Sequence, residues 1–188
     1  MAFLPTPSQT VGPFFSIGMS EDPPAELVAQ DDPDAVRLGG VVYDGEGLPV
    51  IDAVVEIWQA NRAGRYDHPE DTRAELELED GFQGFGRCGT DGEGRYEFVT
   101  VKPGPVPSPD GGLQAPHILV SVLARGLLKR VATRVYFPDE EDANGADPVL
   151  SSVEDPAQRG ALVAVAENGG LRFDIHLQGE SQTAFFGV

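Results

Sequence analysis

The chain has 188 residues, 40% of them hydrophobic, with 10 Phe, 4 Tyr and 1 Trp, which is enough apolar material for one domain with a sizeable core rather than a disordered segment. A formal charge of −18, with only 13 Lys and Arg, excludes nucleic acid as a partner, because phosphate binding relies on basic side chains. The single cysteine, Cys88, excludes an internal disulfide framework, and no apolar run reaches the ~20 residues of a membrane span.

Residues 1–35 are expected to form an N-terminal arm and connection, and 36–188 a single β-sandwich domain. The start, MAFLPTPSQT, lacks the charged and apolar regions of a signal peptide, so a cytoplasmic protein is expected. TPSQTVGPFF reads as an extended arm that docks its aromatics on something. The acidic stretch 20–34 reads as a surface connection, with AELVAQ forming a helical turn or two.

Strands begin at Val36. VRLGGVVYD and LPVIDAVVEIWQA flank a Gly-Glu-Gly turn after Asp44, which signals a hairpin. In the second run Ala53, Val55 and Ile57 share one face and Val54, Glu56 and Trp58 the other. Trp58 by itself reads as core packing. The polar loop 61–80, carrying Tyr66 and His68, is long enough to be functional. A second Asp-Gly-Glu-Gly turn precedes a strand from Arg95 to Val101.

KPGPVPSPDGGLQAPHILVSVL then runs from a Pro/Gly-rich loop into a buried strand, with His117 at the join. His117, Leu119, Ser121 and Leu123 share a face, so the place of a second ligand beside His117 is held by Leu119. In KRVATRVYF, Arg134 lies on the face opposite Val131, Thr133, Val135 and Phe137, where it must reach a carboxylate, solvent or a partner; it is a candidate anion binder. PDEEDANGADP reads as an acidic loop, and DPAQRGALVAVAE as a short helix and a weak strand. LRFDIHLQG alternates with Leu171, Phe173, Ile175 and Leu177 facing inward, and the apolar AFFGV terminus is expected to be tied down.

Seven or so short strands without a sustained helical period predict an all-β antiparallel sandwich. His68, His117 and His176 form no metal-binding spacing, no nucleophile elbow occurs, and Cys88 reads as a buried free thiol. From the residues alone, His117 reads as a strand-end histidine with satisfied hydrogen bonds. The pattern stops at an all-β domain with an incomplete ligand set.

WQANRAGRY, FGRCGTDGEGRYEFVTVKPGPVP and APHILVSVLARG resemble the core of the intradiol ring-cleaving dioxygenases, and the likeness runs over nearly the whole chain. TPSQTVGPFF, TRVYFPDE and RFDIHLQGE narrow it to the alpha chains of the heteromeric, protocatechuate-cleaving members. The resemblance implies a sandwich of intradiol-dioxygenase or transthyretin-like type. It also implies ferric iron, Fe(III), held in iron-bearing chains by two tyrosines and two histidines. Tyr66 matches the first tyrosine and His117 the first histidine, whereas Val106 and Leu119 replace the other two ligands. A relic site is therefore implied, with the iron bound by a partner beta subunit in a larger hetero-oligomer, and with no catalytic or metal-binding residues in this chain alone. Thr10, Gly12, Pro13, Phe14 and Arg134 are implied to wall a composite pocket for protocatechuate and O2. The family pattern has a tyrosine where this chain has Phe14. The rival readings are a homodimeric catechol or hydroxyquinol dioxygenase, which would need all four ligands, and a non-enzymatic transthyretin-like binding module.

Overall fold

The computed structural model describes residues 6–12, 14–19 and 24–187. In chain order, helix α1 (Phe15–Met19) precedes strands β1 (Ala35–Tyr43), β2 (Val54–Trp58), β3 (Phe85–Gly89) and β4 (Arg95–Val101). Next come β5 (Val106–Pro107), β6 (Leu113–Gln114), β7 (His117–Leu123) and β8 (Val131–Tyr136). Three short helices, α2 (Glu141–Ala146), α3 (Pro148–Ser151) and α4 (Pro156–Ala161), lead to β9 (Val165–Glu167), β10 (Gly170–Arg172) and β11 (Ile175–His176).

Two sheets face each other. One is ordered β3-β2-β7-β8 and is antiparallel throughout. The other is built on β1, which pairs antiparallel with β4 on one side and parallel with β10 and β11 on the other. Period-two alternation fills the space between them: Leu38, Val42 and Phe98 come from the first-strand sheet, and Val55, Ile57, Ile118, Val120 and Val135 from the other, all buried. Each such side chain contributes about 1.5–3 kcal/mol of burial. The sandwich predicted from the strand pattern is therefore present, mostly antiparallel, with the parallel β1–β10–β11 contact as its exception.

Several local expectations change. The first strands do not pair as a hairpin. Asp44 Oδ1 accepts from the Glu46 and Leu48 amides at 2.9 Å, closing the turn, and Tyr43 bridges Pro49, but the chain then leaves for the other sheet. The second turn repeats the device: Asp91 Oδ1 accepts from the Glu93 and Arg95 amides at 2.8 and 2.9 Å, and again joins different sheets. Turn chemistry fixes the reversal but not the pairing partner.

AELVAQ is extended rather than helical, because Leu27 donates to the Val99 carbonyl (2.8 Å) and Val99 donates back to Ala25 (3.0 Å), lengthening the sheet edge. The acidic loop after Phe137 contains α2 and α3; Asp147 caps α3 by accepting from the Val149 and Leu150 amides. The last alternating run breaks between β10 and β11. There a Cβ on Gly40 would lie 1.9 Å from the Phe173 carbonyl oxygen, so only glycine admits the close approach, and Asp174 Oδ1 takes the Val41 amide at 3.1 Å. The C-terminal segment is tied down, with Phe186 donating to the Ala132 carbonyl (2.8 Å).

Candidate functional site

The ends of β2, β7 and β8 open beside the loop that follows β2, around a cleft of about 630 Å³. Tyr66, His117, Val106, Leu119 and Arg134 all line it. The four matched ligand positions thus lie beside one another, and Arg134, expected with the arm residues in a composite pocket, lies with them instead.

The loop is held by its own polar groups rather than by a core. Asn61 Oδ1 accepts from the Ala63 and Arg65 amides at 3.0 and 2.9 Å, and its Nδ2 donates to Glu77 O at 2.8 Å. Arg65 reaches Leu76 O at 2.6 Å. Gly64 sits at φ +80°, with the Pro105 carbonyl 2.2 Å from where a Cβ would stand, so the loop clasps the segment leading to β5. Asp71 takes the Tyr66 amide (2.8 Å) and pairs with Arg73 (2.6 Å). That arginine holds the Asp71 carboxyl well below the usual carboxylate range. These contacts set the position of Tyr66.

Trp58 is a wall of this cleft, not core packing as its strand position suggested. Its ring stacks on Tyr66 with centroids 5.8 Å apart and meets His68 edge-on at 6.3 Å. Burial raises the Tyr66 phenol above its ordinary range, while Arg134 and Arg73 draw it partly back. His117 is buried, and its Nδ1 lies 2.7 Å from Ala115 O. A carbonyl only accepts, so Nδ1 carries the proton and Nε2 is left as an acceptor. Burial first, and Arg134 second, lower the His117 pKa to about 4, so the ring is neutral at pH 7.

Behind His117 stands Tyr136, its ring 5.8 Å away and its hydroxyl donating to Asp147 Oδ1 at 3.1 Å. Tyr136 and Asp147 are fully buried although strand alternation put Tyr136 on the outer face; the helices after β8 cover it. Arg134 Nη1 donates to Gln114 Oε1 at 2.7 Å and forms no ion pair among the described residues.

The donor set does not fit a ferric ion. Tyr66 and His117 offer one oxygen and one nitrogen, and Val106 and Leu119 offer none. Among the described residues no group of three His, Cys, Asp or Glu converges.

The arm residues lie elsewhere. Thr10 Oγ1 accepts from the Gly126 amide at 2.7 Å, just past the end of β7. Leu119, opposite Arg134, is four strand residues from that end, roughly 13 Å at ~3.3 Å per residue, with the turn still to follow. Thr10 and Arg134 are thus not brought together. Gly12 and Phe14 are exposed, Phe14 at 80%, while Pro13 lies outside the described residues. Arg125, which the sequence reading passed over, adjoins Gly126; it is 62% exposed and pairs with Asp52 at 3.0 Å. Its signal was available: a cation in a turn directly after a buried strand.

A family model described as Dioxygenase matches residues 11–179. A protein named protocatechuate 3,4-dioxygenase alpha chain, from Burkholderia cepacia, is 40% identical over 97% of each chain. The protein named as the beta chain of that enzyme in the same organism is 38% identical, over 79% of this chain and 66% of its own length. Among solved structures, the dioxygenase domain of a dioxygenase carbohydrate-binding protein fusion from Streptomyces sp. SirexAA-E has a TM-score of 0.60 and 25% identity, covering 93% of this chain and 99% of that one. By its matched residues, its sandwich and the cleft at the ends of β2, β7 and β8, the chain belongs to the intradiol dioxygenase family.

Proposed function

We propose that this chain is the alpha subunit of a heteromeric protocatechuate 3,4-dioxygenase. Its beta subunit would hold ferric iron, which activates the catechol ring for dioxygen. Ring opening between the two hydroxyls puts both oxygen atoms into 3-carboxy-cis,cis-muconate, a step of aromatic catabolism. The observation that carries this reading is a cleft that keeps Tyr66 and His117 but has Val106 and Leu119 at the other two ligand positions, in a chain 40% identical to an alpha chain along its length. A homodimeric catechol dioxygenase would need those two donors in this chain.

The share of this chain is to bind and orient substrate at a shared pocket and to exclude water. Thr10, Gly12, Pro13 and Phe14 of the arm would wall it. Two arginines compete for the carboxylate of the substrate. Arg134 faces the cleft of its own chain, so Arg125, beside the Gly126 amide that holds Thr10, is the better-supported partner. In this reading 1–188 act as one domain with 1–35 as its arm. Among the described residues no helix is long and apolar enough to cross a membrane, and a cytoplasmic (alpha-beta)n particle is proposed.

Iron content and protocatechuate-dependent oxygen uptake, measured for the chain made alone and with its beta partner, test the assignment. The lone chain should be iron-free and inactive, and the co-expressed complex coloured and active. Stoichiometric iron and ring cleavage in the lone chain would overturn it.

A further inference from the structure

We propose that the cleft at Tyr66, His117 and Arg134 binds a small planar aromatic carboxylate in this chain, without a metal. The charge comes first. Arg134 is half-buried, in a protein of net charge −18, yet no carboxylate among the described residues pairs with it. Of the carboxylates around the cleft, Asp71, on its wall with Glu70, is paired with Arg73, and Asp147, behind Tyr136, accepts from the Ala115, Val149 and Leu150 amides and from the Tyr136 hydroxyl. Gln114 takes one Nη1 hydrogen of Arg134 and the Tyr136 hydroxyl oxygen also accepts from the guanidinium, which with five N–H groups still has hydrogens for a ligand oxygen. A partly desolvated guanidinium without a counter-ion favours an anion over water.

The surroundings then select the body of that anion. The stacked Trp58–Tyr66 pair gives one flat wall, and Val106 and Leu119, where ligand atoms would otherwise project, give an apolar surface. A bare inorganic anion would leave both unused. Neutral His117 presents Nε2 as an acceptor, and the Tyr66 hydroxyl has no hydrogen-bond partner among the described residues. A phenolic hydroxyl across the ring from the carboxylate could donate to the one and accept from the other. The residues that exclude iron are the ones that make room for the ring.

The inference concerns residues of this chain alone, so its failure leaves the alpha-subunit assignment standing. The full-length chain would be titrated with 4-hydroxybenzoate, followed by calorimetry and by the emission of Trp58, its sole tryptophan. One saturable site per chain is expected, with quenching of Trp58. Arg134→Gln should weaken it roughly tenfold or more while the circular dichroism stays unchanged. Leu119→Phe, which fills the cleft and keeps the charge, should weaken it too, and 4-hydroxybenzyl alcohol, lacking the carboxylate, should bind far less tightly. No saturable binding, equal binding in the Arg134 variant, or displacement by inorganic phosphate as effective as by the aromatic acid would each overturn the proposal.

Discussion

At the scale of single residues, His117 shows how burial decides chemistry. A histidine at a loop-to-strand junction could be a ligand, a base or a packed neutral ring, and the sequence left these open. Its pKa of about 4, set by burial and by Arg134, selects the neutral ring. The ordinary value is 6.5, so the unfolded chain binds its proton at a higher pH than the folded one. Between pH 6.5 and about 4 unfolding therefore takes up a proton, and stability falls as the pH falls. Below that window the loss reaches about 3 kcal/mol. Chemical denaturation of the chain and of His117→Asn at pH 7, 5.5 and 4.5 would isolate this contribution. The variant should lose less stability on acidification than the parent; parallel pH profiles would show that His117 is not the group responsible.

At the scale of elements, Asp147 joins pieces that are far apart in the chain. It caps α3, holds the Ala115 amide at 2.8 Å two residues before β7, and takes the hydroxyl of Tyr136 at the end of β8. This carboxylate fixes the backbone that fixes His117. Replacing it by alanine would strand three buried or half-buried amides and a hydroxyl without acceptors, at about 3–5 kcal/mol. Asp147→Ala should thus lower the urea midpoint sharply, and Asp147→Asn, which keeps one acceptor oxygen at the helix cap, less so. A loss below about 1 kcal/mol for alanine would mean that water replaces these bonds.

The same element explains what could be read from the sequence. Alternation gave the faces of β2 and β7 correctly, because those strands pack against the opposing sheet all along their length. Alternation failed at Tyr136 because α2 and α3, hidden in an acidic run without apolar periodicity, cover the outer face there. The turns after Asp44 and Asp91 were legible as turns; the crossing they make was not, since sheet partners are chosen by distant residues. The cleft was legible through motif positions, whereas Trp58 needed the loop in place before it could be seen as a wall.

At the scale of the whole molecule, the two sheets satisfy each other and the N-terminal arm does not. Phe186 is anchored to Ala132, but Phe14 is 80% exposed and Ile17 70%, on an arm whose hold on the body includes the Thr10–Gly126 hydrogen bond. Large apolar side chains on an arm expose surface that a permanent partner would cover, and aromatic anchors dominate such interfaces. With −18 charges on 188 residues, approach of another acidic chain would be opposed at long range, so short-range apolar contacts of this kind would have to hold the proposed assembly. Phe14→Ser separates folding from assembly. The side chain touches little within its own chain, so the denaturation midpoint of the lone chain should move by no more than about 0.5 kcal/mol. Assembly with the proposed beta partner, followed by sedimentation of mixed subunits, should weaken roughly tenfold or more. A variant that assembles as well as the parent would show that the arm does not dock through Phe14, and a variant that loses stability alone would show that the arm packs on its own body instead.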